Sequence, residues 1–250
     1  MDEKDWIAGA AKALAIIEAF DEDHARMTPT TVATRAGLSR TAARRYLLTL
    51  GELGYIDTDG KLFWLAPRVL RLGQSYLESA RLPRTVQPFL QRITAEVQET
   101  ALVAILDEHD VVYVARNGVN RAMAMGFVLG SRVPAPLSSA GMILLASRAP
   151  EEIDAWLATY EIRLFTPYTY ASIDRLREVL AEARRNGYVV TDQQLEPGMR
   201  GVAVPLRDRH GNVVAAISVS MPIGQESANG ALHRVLPVLQ ETASLLRNLV

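Results

Sequence analysis

Arg40, Arg44 and Arg45 recur with Thr41 and Thr49 at intervals of three to five residues, which gathers all five on one side of a helix over 39–50. An arginine fork matches the acceptor pair of a guanine edge and also phosphate oxygens, and a threonine can touch a base edge or a thymine methyl. The other side carries Leu38, Ala42, Ala43, Tyr46, Leu47 and Leu50, an apolar or small surface fit to be buried. The chemistry open to this segment is nucleic-acid recognition. Taken alone, a run of arginines also reads as solvated surface, so the flanking elements have to decide.

Those flanks have the required shape. Thr28-Pro29 starts a short helix over 30–36, because threonine caps free N–H groups and proline at the first position loses no hydrogen bond. Gly37 stops it, and Ser39 caps the next helix, where a helix start can also hold a phosphate. Two helices across a tight glycine turn make a helix-turn-helix. After Gly54, residues 55–64 read as strand, Asp59-Gly60 turn and strand, a hairpin wing with Lys61 at its tip. Before it, Leu14, Ile17 and Phe20 mark an amphipathic helix over 10–20. The expected DNA-binding residues are therefore Thr28, Ser39, Arg40, Thr41, Arg44, Arg45, Thr49 and Lys61.

Charge agrees. The 250-residue chain carries a net charge of −1, yet between His24 and Arg71 eight Arg or Lys face three acids, a local +5. A basic module on an acidic remainder is the pattern expected when one domain touches nucleic acid.

A second group of polar residues suits a small ligand. Ser138 and Ser139 open an apolar helix over 140–147, where the positive helix end favours a carboxylate, although serine there is also an ordinary cap. Ser218 and Ser220 alternate on a strand and share one face, which could line a pocket or meet solvent. Arg116, Arg121 and Arg132 are further carboxylate partners to weigh against plain surface charge.

Other chemistries find little support. There is no cysteine, which excludes disulfides, thiol catalysis and thiolate zinc sites. No GxSxG, GxxxxGK[ST] or HExxH pattern occurs, and the four histidines are scattered. Asp107-Glu108-His109-Asp110 fits a solvated turn better than a metal cluster. No cofactor, metal or catalytic site is expected. The N-terminal MDEKDWIAG is acidic and polar, unlike a secretory signal, and no apolar run approaches ~18 residues, so a cytoplasmic protein without a membrane partner is expected.

Hydrophobic residues at 49% and charged residues at 22% suit packed cores. The spacing predicts one helix over 68–82 with Val69, Leu72, Tyr76 and Ala80 on a stripe and Pro83 at its end. That stripe could pack on its own domain or on a second copy. Beyond it come a helix to 100, a hairpin over 101–115, helices after 140, 150 and 173, a second hairpin over 201–219, and a closing helix over 226–249. Helices flanking an antiparallel sheet make an α+β domain. The expected divisions are 1–66, a linker helix at 67–83, and 84–250.

Residues 37–50 (GLSRTAARRYLLTL), the wing start 54–56, and the blocks 136–146 (PLSSAGMILLA), 198–206 (GMRGVAVPL) and 211–220 (GNVVAAISVS) resemble the IclR family of bacterial regulators in order and spacing. The 44–50 run is most similar to the branch responding to protocatechuate and 4-hydroxybenzoate. The resemblance implies a winged helix-turn-helix joined to a GAF-like effector domain, acting on double-stranded operator DNA as a homodimer or dimer of dimers. It places Ser138, Ser139, Ala140, Met142, Asp192, Met199, Gly201, Ser218 and Ser220 at a site for a small, aromatic carboxylate effector. Two positions depart from relatives: the protocatechuate branch often has a basic residue at Met142, and relatives binding very small keto acids can carry cysteine at Gly201. The missing side chain at Gly201 would then leave room for a ring. Alternatives are a non-aromatic carboxylate sensor, or a DNA-binding architectural protein without ligand, which leaves the large second domain unexplained.

Overall fold

A computed structural model describes residues 3–118 and 128–250. The chain divides into two compact units, one up to Tyr76 and one from Leu77 onward.

The first unit contains α1 (Ala8–Glu18), α2 (Pro29–Arg35), α3 (Arg40–Glu52), β1 (Ile56–Thr58) and β2 (Phe63–Leu65). Both caps act locally: Thr28 Oγ1 accepts the Thr31 N–H at 3.3 Å and Ser39 Oγ accepts the Ala42 N–H at 3.2 Å. Gly37 has φ +65°, the left-handed turn that separates α2 from α3. Ile16, Val32, Ala43 and Leu47 are fully or almost fully buried and form the core with Met27, Ile56 and Phe63. On α1 the anchor is Ile16, whereas Leu14 is 52% exposed. The helix stops at Glu18, so Phe20 packs from beyond its end and the expected stripe is rotated.

The wing also differs in detail. Pairing ends at Thr58 opposite Phe63, giving a four-residue loop rather than a two-residue Asp-Gly turn. The Asp59 carboxylate accepts the Lys61 and Leu62 N–H groups at 2.9 and 2.8 Å, while Gly60 takes φ +92°. Met27 adds one bridge to Phe63, tying the α1–α2 connection to the wing.

Next come α4 (Leu70–Ser79) and α5 (Arg81–Val97), where a single helix ended by Pro83 is the expectation from sequence. The break falls at Ala80, and Pro83 lies buried in the first turn of α5. A first-turn proline forfeits no intrahelical bond, so it starts this helix instead of ending the last one. No residue of α4 is buried within the chain.

The second unit is built on β3 (Thr100–Asp107), β4 (Asp110–Asn117), β5 (Arg132–Pro134), α6 (Ser139–Ala146), α7 (Pro150–Thr159), α8 (Ile173–Asn186), β6 (Val189–Asp192), β7 (Met199–Arg207), β8 (Val213–Pro222) and α9 (Ala228–Leu246). The strands form one antiparallel sheet in the order β5-β4-β3-β8-β7-β6. Alternation then divides the side chains. Val103, Val202, Val204, Ile217 and Val219 meet α5 and α9 on one face. Leu102, Ala104, Ala203 and Ala216 meet α6, α7 and α8 on the other. Every residue of α6 is buried, as a helix laid flat on a sheet and covered by α8 must be. Its Gly141 is required by packing: a Cβ there would lie 2.1 Å from the Ala135 carbonyl oxygen.

Candidate functional site

On α3 the side chains of Arg40, Thr41, Arg44, Arg45 and Thr49 are all exposed, opposite the buried Ala43, Leu47 and Leu50. Among the described residues no carboxylate forms an ion pair with Arg40, Arg44, Arg45 or Lys61, so their charge is available to an external anion. Thr49 donates its hydroxyl to the Arg45 carbonyl at 2.9 Å and remains exposed. Lys61 stands exposed on the wing loop. The Leu62 and Lys61 amides hold the Asp59 carboxyl below its ordinary value.

Not all of the local +5 faces outward in the same way. Arg35 donates to the Ala19 carbonyl at 2.7 Å and pairs with Asp21, which itself bonds His24. It is a brace. Arg26 lies 4.0 Å over the Trp64 ring and Arg68 5.5 Å over Tyr55, cation–π contacts that orient the wing strands.

In the second unit a narrow pocket lies between the start of α6, the β6–β7 loop and one end of the sheet. Strand register explains its floor. Thr191, Gly201, Ser220 and Thr100 lie opposite one another across β6, β7, β8 and β3, and Ala203, Ser218 and Leu102 form the next row. Ser138, Ser139, Met199, Gly201, Ser218 and Ser220 line this pocket together. Sequence reasoning missed Thr191, Gln193, Gln194, Leu195, Leu102 and Tyr113, whose membership depends on register and loop path. Tyr113 is almost wholly buried; burial pushes its phenol well up, opposed by a hydrogen bond with Ser138. Ser138 Oγ in turn accepts the Gly141 N–H at 3.0 Å.

Three expected residues lie elsewhere. Ala140 and Met142 are buried in the core behind the pocket, where α6 packs on sheet and α8. Asp192 does not line the pocket, since alternation gives that face to Thr191 and Gly201, but it pairs at 2.9 Å with Arg200, which borders the pocket and which sequence reasoning also missed. Arg200 also donates to the Glu226 carbonyl at 3.1 Å. Of the arginines weighed as carboxylate partners, Arg132 pairs with Asp107 and Asp110 at the β3–β4 turn. Arg116 lies on β4 opposite Leu102, and Arg121 is outside the described residues. In the acidic turn, His109 packs edge-on against Trp156 at 4.9 Å. Among the described residues no three His, Asp or Glu side chains converge as a metal site.

Gly201 also works differently from the expected empty space. A Cβ there would lie 2.6 Å from Ser139 Oγ and 2.9 Å from Thr191 Oγ1, so the room is filled by two hydroxyls closing in.

A helix-turn-helix with free arginines, followed by a sheet domain with a hydroxyl-lined pocket, can be compared with known proteins. The IclR helix-turn-helix domain matches residues 9–60, and the bacterial transcriptional regulator IclR C-terminal domain matches 74–247. The chain belongs to the IclR family. This IclR-family regulator is 41% identical to the p-hydroxybenzoate hydroxylase transcriptional activator of Acinetobacter baylyi, over 99% of this chain and 93% of that one. It is 37% identical to the Pca operon regulatory protein of the same organism, over 99% and 90%. Among solved structures, a putative transcriptional regulator from Rhodococcus sp. RHA1 superposes with a TM-score of 0.81 at 42% identity, covering 96% of each chain. An IclR homolog from Microbacterium hydrocarbonoxydans, complexed with 4-hydroxybenzoate, gives 0.78 at 26% identity, covering 96% and 97%.

Proposed function

We propose that this regulator binds operator DNA through α3 and the wing and responds to an aromatic acid of the hydroxybenzoate class held in the pocket at the start of α6. The observation that carries the reading is the pocket wall itself. Ser139, Thr191, Ser218, Ser220 and Tyr113 bring hydroxyls to a void otherwise walled by Leu102, Leu137, Leu195 and Met199. Apolar walls suit a ring, hydroxyls suit its polar substituents, and the first turn of α6 supplies partial positive charge for a carboxylate. Relatives named for p-hydroxybenzoate and Pca regulation, and a homolog solved with 4-hydroxybenzoate, support the same class.

The DNA site is the exposed face Arg40, Thr41, Arg44, Arg45 and Thr49, with Ser39 and Thr28 at helix starts and Lys61 on the wing. The protein acts as a homodimer or dimer of dimers in the cytoplasm; Leu70, Leu72 and Tyr76 on the uncovered α4 offer apolar surface for pairing. Two-fold symmetry then imposes paired half-sites on the operator. A ligand preferring one domain arrangement shifts the population and hence the grip on DNA.

The reading is tested by thermal unfolding with 4-hydroxybenzoate, protocatechuate, benzoate and small keto acids. Ligand at about 100 times its Kd should add about 2.7 kcal/mol of stability. Stabilisation by hydroxybenzoates alone supports the reading. Stabilisation by keto acids alone overturns the aromatic assignment.

A further inference from the structure

The connection at 160–172, between α7 and α8, carries no helix or strand, and connections of ~12 or more residues without their own elements are uncommon in a compact domain. Two of its threonines are buried: Thr166 is 7% exposed and Thr169 8%. Thr166 Oγ1 donates to the Gln193 carbonyl at 2.7 Å and accepts the Tyr168 N–H at 3.0 Å. Thr169 Oγ1 donates to the Gln194 carbonyl at 2.8 Å and accepts the N–H groups of Phe165 and Thr166 at 3.2 and 3.0 Å. Each hydroxyl is therefore used as donor and as acceptor, and its loss would leave groups unsatisfied on both sides.

The two carbonyls belong to the β6–β7 loop, residues 193–198, whose Gln193, Gln194, Leu195 and Glu196 line the pocket. Several of the loop's other hydrogen bonds are internal or reach its own strand ends. Gln193 takes φ +68°, donates its N–H to the Met199 carbonyl at 2.8 Å and accepts the Gly198 N–H on its side-chain oxygen at 3.0 Å. Gln194 uses its side-chain oxygen to accept the Asp192 N–H. The far end of the loop is tied to the segment after β8, where the Gly198 carbonyl accepts the Ile223 N–H at 2.7 Å, while Thr166 and Thr169 hold its first half, Gln193 and Gln194, which lines the pocket.

We propose that Thr166 and Thr169 are positioning residues for the ligand pocket, fastening its outer loop and so setting how long an aromatic acid stays bound. The inference rests on the proposal that this pocket holds a hydroxybenzoate. A loop held by two buried hydroxyls opens less often, and residence time is the quantity that such opening controls.

The experiment is stopped-flow binding of 4-hydroxybenzoate to the full chain. In the Thr166→Val, Thr169→Val pair the dissociation rate should rise about tenfold, the scale of one hydrogen bond, with a smaller change in association. The Thr166→Ser, Thr169→Ser pair keeps both hydroxyls and should restore the slow rate. Equal dissociation from the valine pair and the unsubstituted protein overturns the inference and leaves the pocket assignment standing. Failure of the unsubstituted protein to bind any hydroxybenzoate removes the pocket assignment and this inference with it. Should the valine pair not fold, amide exchange in the unsubstituted protein decides. Saturation with 4-hydroxybenzoate should slow exchange at Phe165, Thr166 and Tyr168, and unchanged exchange there beside slowed exchange in β7 and β8 would overturn the inference.

Discussion

A Cβ placed on Gly201 would stand 2.6 Å from Ser139 Oγ, so β7 and the start of α6 meet where only glycine fits without rearrangement. This contact joins the sheet to the helix end inside the pocket. Gly201→Ala should force the Ser139 and Thr191 hydroxyls from their places, weakening 4-hydroxybenzoate binding about tenfold while lowering stability by only about 1 kcal/mol. Calorimetric titration beside a thermal melt separates the two. An unchanged Kd would show that those hydroxyls do not touch the ligand.

Gly141→Ala should behave otherwise. The obstacle is backbone, the Ala135 carbonyl oxygen at 2.1 Å, and cannot swing aside as a serine hydroxyl can. A loss on the order of 3 kcal/mol is expected, at the upper end for overpacked cores. A melting temperature equal to that of the unsubstituted protein would contradict the packing described for α6.

Arg44→Ala and Arg45→Ala should each weaken operator binding, by ~1–3 kcal/mol where the side chain reaches a base. Lys61→Ala should reduce the slope of log K against log salt by about 1 and leave base preference intact. Arg35→Ala should act through folding, because Arg35 braces Ala19 and Asp21. Affinity measured at several salt concentrations distinguishes these. Unchanged affinity in both α3 variants would remove α3 as the reading helix.

Tyr113 gives a pH signature. Its phenol is raised above the ordinary 10.0 by burial, so the folded state holds a proton that the unfolded chain releases. The stability contributed is fully present below about pH 10 and falls as pH rises beyond it. Tyr113→Phe should cost about 1 kcal/mol at neutral pH through the lost bond with Ser138, and should flatten part of the alkaline decline. Denaturant unfolding at pH 8 and pH 11 checks both. Parallel declines in the two proteins would place Tyr113 outside that titration.

Much of the first unit was legible because its signals are local. Caps at Thr28 and Ser39 and a left-handed Gly37 act within a few residues, so spacing alone locates α2 and α3. The pocket was legible in part. Ser218 and Ser220 share a face by alternation, and Ser138 and Ser139 open a helix, features that a sequence carries directly. Asp192 was not, since a one-residue difference in register exchanges it for Thr191. Pro83 misled for a related reason: proline marks a boundary without saying on which side of it the helix lies. Tyr113 lines the pocket, and Thr166 and Thr169 bond the loop that lines it, through pairing and loop contacts far apart in sequence that nothing local announces.

Under the proposed function, a hydroxybenzoate in the α6 pocket alters how α3 holds DNA. Fluorescence anisotropy of labelled operator with the full chain, titrated with 4-hydroxybenzoate, tests it most directly. A shift in operator affinity of about fivefold or more is expected, the lower range of allosteric coupling, and should be lost in the Ser139→Ala, Ser218→Ala pair. Identical affinity with and without saturating 4-hydroxybenzoate, in a protein shown by calorimetry to bind it, would show that the pocket does not control DNA binding.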